Sequence, residues 1–257
     1  MRWGTLAFVD VLGFKAMSAR TSPEQVFPAL DQIRAWVTAL VERENARDGV
    51  DLWKHLECRA QLFSDTIIVT SPMPPGGSTE AAALEDYEAI RRYMLLRYMV
   101  LMVTKVATAA AKGELPLLYR GCVGCGEYER NDFAVLGPAV NETAELYEAA
   151  DGAFVFLSPS ARDTYNSRPG LLARAVFPYF VEYQIPFKSG ELLKTFALNP
   201  LLFTGPATTP DVKTRFLAAF GDRSQMSVAV EKKYENTRAF LEHLERTTPF
   251  SWRHLEP

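Results

Sequence analysis

The order of strand-like and helix-like segments restricts the fold of this chain more than any other feature. A short apolar run over 5–11 predicts a strand, and apolar residues at helical spacing over 23–44 predict a helix. Two strands joined by a tight turn at Ser64 and Asp65 come next, followed by a long apolar helix over 79–111. The remaining segments are a strand over 117–127, a helix over 141–150, a strand over 154–157, a strand pair over 179–185 and 192–198, and charged helices after 210. This order predicts an α+β fold: a ferredoxin-like core with one antiparallel sheet and helices on one of its faces.

The length of the chain allows one domain with an added helical segment. For 257 residues we expect one main domain over 1–205 and a helical C-terminal extension over 206–257 that packs on the same unit. A hydrophobic share of 48% and a charged share of 23% are ordinary for a globular protein. The net charge of -3 gives no electrostatic reason to expect nucleic acid or a membrane surface as a partner.

The N-terminus lacks the apolar core and small-residue cleavage site of a secretion signal. The most apolar stretch, 93–104, is interrupted by Arg97, which favours a buried or dimer-facing helix over a membrane span. Three cysteines, an odd and small number, suit a reducing cytoplasm. Cys122 and Cys125 form a CxxC pattern, but on a strand they face opposite sides, so we expect two packed side chains rather than a zinc or redox site.

Two aspartates stand where a ferredoxin-like core would bring them together. Asp10 ends the first strand, and Asp65 lies at the tip of the first hairpin, which is adjacent to that strand in such a core. Carboxylate oxygens are the ligands that Mg²⁺ and Mn²⁺ prefer, with other positions left for phosphates and water. Two such metals could activate a hydroxyl and neutralise a leaving diphosphate. The alternative is that each aspartate only forms a turn through its own backbone.

Five segments, in the same order along the chain, resemble the motifs of class III adenylate and guanylate cyclases. They are Phe8-Val9-Asp10-Val11-Leu12-Gly13-Phe14, Phe63-Ser64-Asp65, the glycine-rich strand 120–126, the segment 136–146 around Asn141, and the lysine-glycine hairpin 185–196 around Lys188. The resemblance spans about Thr5 to Leu198 and implies a ferredoxin-like class III cyclase core.

The resemblance also implies roles for individual residues. Asp10 and Asp65 would bind two divalent metal ions (Mn²⁺ or Mg²⁺), and the backbone of Val11 would complete one coordination sphere. Backbone amides around Leu12, Gly13 and Phe14 would hold the phosphates, Asn141 would position the ribose, and Lys188 would meet the triphosphate. Asn141 could instead be a helix N-cap, and Lys188 a solvated lysine. Active sites in this family form between two cyclase domains, so the resemblance implies a homodimer.

The sequence departs from the family at the positions that serve transition-state stabilisation and base recognition. Glu145 occupies the position of a transition-state arginine, and Arg120, Lys15 and Lys188 are candidate replacements. Gln61 and Ala134 occupy the base-reading positions and match neither purine pattern.

A compact cyclase without a purine pattern resembles the pyrimidine cyclases of the bacterial Pycsar anti-phage system. That resemblance favours UTP as substrate and cyclic UMP as a cytoplasmic second messenger read by a separate effector protein. A glutamine amide suits either pyrimidine. The alternatives are a cytidylate or adenylate cyclase, a catalytically degenerate nucleotide-sensing module, and, more distantly, a palm-domain enzyme with paired aspartates.

Overall fold

The computed structural model describes residues 1–14, 21–46, 57–74, 87–167, 179–202 and 209–247. The strands are β1 (Arg2–Val11), β2 (Arg59–Phe63), β3 (Thr66–Pro72), β4 (Tyr119–Arg130), β5 (Val135–Leu136), β6 (Val155–Leu157), β7 (Phe180–Pro186) and β8 (Leu192–Leu198). The helices are α1 (Pro23–Asn45), α2 (Tyr87–Lys112), α3 (Pro138–Tyr147), α4 (Pro159–Asn166), α5 (Thr209–Ala218) and α6 (Val228–Thr247), with a 3₁₀ turn at Arg223–Gln225. The predicted residues 79–86 of α2, and Lys15, lie outside the described residues.

The first four strands have the order β2-β3-β1-β4, and every neighbouring pair among them is antiparallel. Helix α1 connects β1 to β2, and α2 connects β3 to β4. This is the strand order of a ferredoxin-like core, so the predicted α+β fold is confirmed. The apolar strand β1 is central, and its C-terminal end lies between the β2–β3 hairpin and the start of β4.

Beyond β4 the sheet continues through β6 and β8 to β7, and the β4–β6 pair is parallel. The expectation of a purely antiparallel sheet is therefore wrong. The chain between β4 and β6 contains β5 and α3, a connection long enough to return β6 in the direction of β4.

Helices cover both faces of the sheet, not one face as predicted. Alternate residues of β1 point to opposite sides: Ala7 and Val9 pack in the cluster formed with α1 and α2, whereas Leu6 packs with Ala139 and Val140 of α3. Each set of alternate residues in β1 contains buried apolar side chains, so both faces need cover.

Helix α2 is long and apolar enough, by length and composition, to cross a membrane. Its side chains nevertheless form the centre of the larger hydrophobic cluster, where Tyr93, Leu96, Met99 and Val103 have no exposed surface. This placement agrees with the predicted buried helix.

The C-terminal helices pack against the second hydrophobic cluster. Val212 and Phe216 of α5 and Phe240 of α6 are buried in the same cluster as Phe154 and Phe156, which flank or lie in β6. The expected domain boundary at 205 lies outside the described residues and stays a prediction.

The three cysteines are free and buried. Cys122 packs in the cluster with α6, and Cys125 in the cluster with α2, on the opposite side of β4. Burial raises the pKa of Cys125 to about 12, which keeps this thiol protonated and unreactive. The structure thus agrees with two packed residues in place of a zinc or redox pair.

Candidate active site

The register of the central strands joins Asp10 to Arg120. In the antiparallel β1–β4 pair these two residues lie directly opposite each other, so their side chains share a face of the sheet. The guanidinium Nε of Arg120 donates to Oδ1 of Asp10 at 2.8 Å, and Nη2 donates to Oδ2 at 2.9 Å. Both side chains are largely buried. This bidentate contact fixes the orientation of the Asp10 carboxylate.

The turn between β2 and β3 brings Asp65 to the same place. The backbone N–H of Val11 donates to the carbonyl oxygen of Asp65 at 3.1 Å, and Thr66 pairs with Asp10 across β1 and β3. Ser64 adopts a positive φ of 56°, which a tight hairpin turn requires. Burial raises the pKa of Asp65, and the negative charge of Asp10 adds to this effect. The structure therefore brings the two carboxylates together.

The hairpin between β7 and β8 adds a cation at this end of the sheet. The N–H of Lys188 donates to the carbonyl oxygen of Ala149 at 2.9 Å, while Nη1 of Arg120 donates to the carbonyl oxygen of Glu148 at 3.3 Å. Two neighbouring carbonyls thus hold Arg120 and the Lys188 hairpin. Partial burial and the positive charge of Arg120 lower the pKa of the Lys188 ammonium. The Lys188 side chain is exposed and therefore accessible to an anionic ligand.

The turn after β1 leaves open space beside the backbone of Gly13. The N–H of Leu12 donates to the carbonyl oxygen of Leu118 at 2.7 Å, so this amide is already occupied within the fold. Phe14 packs against the hydrophobic core. Gly13 has a φ of +78°, and no atom lies within 4 Å of the position a Cβ would take. An anion therefore has free approach to the backbone at Gly13.

Asn141 is not a helix cap, so that alternative is wrong. The N-cap of α3 is Gly137, whose φ of +143° and close contact with the backbone of Tyr128 exclude a larger residue. Asn141 lies inside the first turn, and its N–H donates to the carbonyl oxygen of Gly137 at 3.1 Å. Its side chain is exposed, as is that of Glu145 one turn later.

Gln61 lies on β2, which β3 separates from the strand that carries Asp10. Its Nε2 donates to the carbonyl oxygens of Asp132 at 3.1 Å and Asn131 at 3.4 Å, in the turn between β4 and β5. That turn is at the other end of β4 from Arg120. The side-chain Oε1 of Gln61 remains as an acceptor.

Two features of the site were not predicted from the sequence. Arg120 was expected as a possible phosphate-binding cation, not as the partner of Asp10, because only the strand register reveals that pairing. Tyr147 and Glu148 also border the site: the Tyr147 hydroxyl donates to Glu148 Oε1 at 2.9 Å, and the ring lies 5.7 Å from that of Phe8. Burial and Glu148 raise the pKa of Tyr147 to about 12.

The chemistry of the donors fits divalent metal ions shared with a polyphosphate. Within the described ranges, no group of three or more His, Cys, Asp or Glu side chains is placed to enclose a metal. Asp10 and Asp65 offer hard carboxylate oxygens, which suit Mg²⁺ or Mn²⁺ when phosphate oxygens and water complete the shell. The residues present therefore fit such ions only together with an oxygen-rich ligand.

The raised pKa of Asp65 leads to a prediction about stability. A carboxyl group with a raised pKa in the folded state favours folding at low pH, and this contribution is lost as the pH rises through the folded pKa. We expect Asp65→Asn to raise the unfolding temperature of the metal-free protein at pH 7. The gain should be below about 1 kcal/mol, because the group is partly exposed, and should shrink towards pH 4. Calorimetry at both pH values, with the exposed Asp132→Asn as control, checks this. A lower unfolding temperature at pH 7 for Asp65→Asn alone contradicts it.

The comparisons with known proteins find likeness only among solved structures. No known protein family and no curated protein matches this chain. The catalytic core of a rhodopsin-guanylyl cyclase with converted specificity, in complex with ATPalphaS, is 13% identical, with a TM-score of 0.48 over 77% of this chain and 95% of that one. An adenylate/guanylate cyclase/hydrolase from Silicibacter pomeroyi is 14% identical, with a TM-score of 0.43 over 77% and 96%. Likeness at this distance does not establish an activity.

Proposed function

We propose that this chain is a nucleotide cyclase that converts UTP to 3′,5′-cyclic UMP and diphosphate, as a second messenger in anti-phage defence. The observation that carries the proposal is the meeting of Asp10, Asp65, Arg120 and Lys188 at one end of the sheet. Two carboxylates beside Lys188 suit a metal-bound triphosphate, because the carboxylates would take the metals and the Lys188 ammonium would face the phosphates, while Arg120 orients Asp10.

In the proposed reaction the 3′-hydroxyl oxygen bonds to the α-phosphorus, and the bond from that phosphorus to the oxygen bridging to the β-phosphate breaks. The hydroxyl proton leaves to solvent, and diphosphate departs with the extra negative charge. Divalent ions, when bound, lower the pKa of the hydroxyl and neutralise the leaving group. Asp10 and Asp65 hold these ions, Arg120 keeps Asp10 oriented, and Lys188 stabilises charge on the departing phosphates.

A homodimer would complete the site. Asn141 is exposed, and Gln61, on a strand separated by β3 from that of Asp10, is hydrogen-bonded to the β4–β5 turn. A partner subunit would supply the ribose and base contacts. Exposed apolar side chains on the β2–β3 and β4–β5 hairpins, namely Phe63, Phe133 and Leu136, support contact with a partner subunit.

The base preference depends on Gln61. With its Nε2 donating to two carbonyls, its Oε1 can accept from N3–H of uracil or from the amino group of cytosine. The preference for UTP over CTP, and the defence role with a separate effector protein in the cytoplasm, come from the resemblance to pyrimidine cyclases of the Pycsar system.

We expect the purified protein with Mn²⁺ to form cyclic UMP from UTP, resolved from other products by mass spectrometry. ATP, GTP and CTP, each incubated separately, are the controls. Cyclic CMP as the main product would support the pyrimidine assignment but contradict UTP as the preferred substrate. A product from ATP or GTP alone would contradict the role of Gln61 while keeping the reaction.

A second candidate function is a nucleotide sensor without turnover. The observation that favours it is Glu145, a carboxylate at the place where the related enzymes are expected to carry a cation. Two measurements distinguish these functions. A sensor binds UTP with Mn²⁺ in calorimetry, but it releases no diphosphate during prolonged incubation.

A further inference from the structure

Three contacts fix helix α6 against the segment that follows α3. Nζ of Lys232 lies 2.9 Å from Oδ2 of Asp151, and Nδ2 of Asn236 donates to the Asp151 carbonyl oxygen at 2.7 Å. The N–H of Ala153 donates to Oγ1 of Thr237 at 2.9 Å. Asp151 and Thr237 are both buried. These contacts determine which face of α6 is turned towards the end of the sheet.

The same segment holds the cations of the candidate active site. The carbonyl oxygen of Glu148 accepts from Arg120, and that of Ala149 accepts from the N–H of Lys188. The N–H of Asp151 donates to the carbonyl oxygen of Pro186, just before the Lys188 hairpin. Helix α6 and the Lys188 hairpin are therefore fastened to one short stretch of chain.

Lys233 lies on the docked face of α6. It precedes Thr237 by one helical turn, and Oγ1 of Thr237 donates to its carbonyl oxygen at 2.7 Å. Residues four apart share a helix face, and side chains lean towards the N-terminal end of the helix. Lys233 is half-buried. Its charge contributes, after partial burial and the charge of Arg120, to lowering the pKa of Lys188, whereas the charges of Glu148 and Asp10 act in the opposite direction. Both lysines belong to elements that are hydrogen-bonded to the segment 148–153.

Neither ammonium has an ion-pair or hydrogen-bond partner among the residues that the structure describes. Lys232, the neighbour of Lys233, is by contrast engaged with Asp151. Two like charges held close to each other repel, and a bound polyanion removes that repulsion. The arrangement is therefore suited to an anion with more than one charge.

We propose that Lys233, supplied by the C-terminal helix, binds the terminal phosphates of the substrate together with Lys188. The inference deepens the proposed function, because it assigns to this site a cation that makes up for Glu145. Lysine serves here as a compact point charge, which suits a phosphate chain that binds by charge rather than by a bidentate geometry.

The test is calorimetric titration of the full-length protein with inorganic tripolyphosphate, and in parallel with UTP and Mn²⁺. We expect Lys233→Ala to weaken tripolyphosphate binding about 10-fold, and Lys233→Arg, which keeps the charge, to restore most of it. The loss should decrease at high salt. The matched control is Arg238→Ala on the same helix, whose exposed guanidinium pairs with Glu235 and Glu242 within the described residues. Circular dichroism confirms that each variant is folded.

The inference is overturned if Lys233→Ala binds tripolyphosphate as tightly as wild type does, or if Arg238→Ala weakens that binding as much as Lys233→Ala does. It is also overturned if wild type binds neither ligand. These outcomes are separate from failure of the proposed function. In one such outcome, the wild type binds both ligands, only Lys233→Ala binds them more weakly, and no cyclic product forms. That result would support the Lys233 site and contradict the cyclase activity. Normal cyclic UMP formation by Lys233→Ala, with unchanged KM, would support the cyclase activity and contradict the proposed role of Lys233.

Discussion

Asp65→Asn is expected to lower kcat/KM for cyclic nucleotide formation by at least about 1,000-fold, equivalent to about 4 kcal/mol of transition-state stabilisation. Asparagine keeps the size of the side chain and its tolerance of turns, but it removes the charge that a divalent ion requires. The fold should be retained, because Asp65 is fastened through its carbonyl oxygen, which accepts from the N–H of Val11. The measurement is initial-rate kinetics with Mn²⁺ over a range of substrate concentrations.

The matched control for this variant is Asp132→Asn. Asp132 lies on the β4–β5 turn, is exposed, and pairs with Arg59 at 3.0 Å on the surface. It should keep wild-type rates, since an exposed ion pair contributes little. Asp10→Asn should lose activity to the same degree, and it should also destabilise the protein, because Arg120 then loses a charged partner in a largely buried site. Near-wild-type turnover by Asp65→Asn would contradict a metal-binding role for that residue.

Gly121→Ala is expected to destabilise the protein by about 3 kcal/mol, and more if the strands cannot separate. A Cβ at this position would lie 2.3 Å from the carbonyl oxygen of Phe8 and 2.5 Å from Cγ1 of Val9. The first of these atoms belongs to the backbone of β1, so no rotation of a side chain relieves the clash. The N–H of Gly121 also donates to the carbonyl oxygen of Phe154 at 2.8 Å, which holds β4 from the other side.

Denaturant unfolding followed by circular dichroism measures this loss. Gly113→Ala is the control: its Cβ would meet no atom closer than 3.4 Å, so we expect a change below about 1 kcal/mol. Because Gly121 is adjacent to Arg120, any shift that admits the methyl group should also disturb the Asp10–Arg120 pair. An unchanged unfolding midpoint for Gly121→Ala would show that β1 and β4 are far enough apart in solution to admit a methyl group at this position.

The order of the elements could be predicted because it depends on local signals. Apolar periodicity located α1, which begins at Pro23, and the turn at Ser64 and Asp65 located the first hairpin. The start of α3 was placed three residues too late, at Asn141, because asparagine is a good N-cap by itself. In the structure Gly137 takes that place because the backbone of Tyr128 leaves no room for a side chain. Tertiary contact, not propensity, decides this helix.

The candidate site likewise has a part that local sequence signals predict and a part that depends on tertiary structure. The positions of Asp10 at a strand end and Asp65 at a hairpin tip follow from adjacent elements, so the sequence could suggest that they meet. The pairing of Asp10 with Arg120 depends on strand register across 110 residues, which no local pattern specifies. Lys233 could not be found at all, since a lysine in a charged helix looks like a solvated side chain until its helix is docked.

Helix α6 fastens the segment that holds both Arg120 and the Lys188 hairpin, and this has a consequence for biosynthesis. Chains emerge from the ribosome N-terminus first, and early elements fold before late ones are made. The β2-β3-β1-β4 core, with Asp10 and Asp65, can therefore form while α6 is still being translated. The side of the sheet that carries Arg120 and Lys188 is completed only when α6 docks through Asn236 and Thr237. Under the proposed function, a nascent or prematurely terminated chain would therefore lack a complete substrate site and form no product.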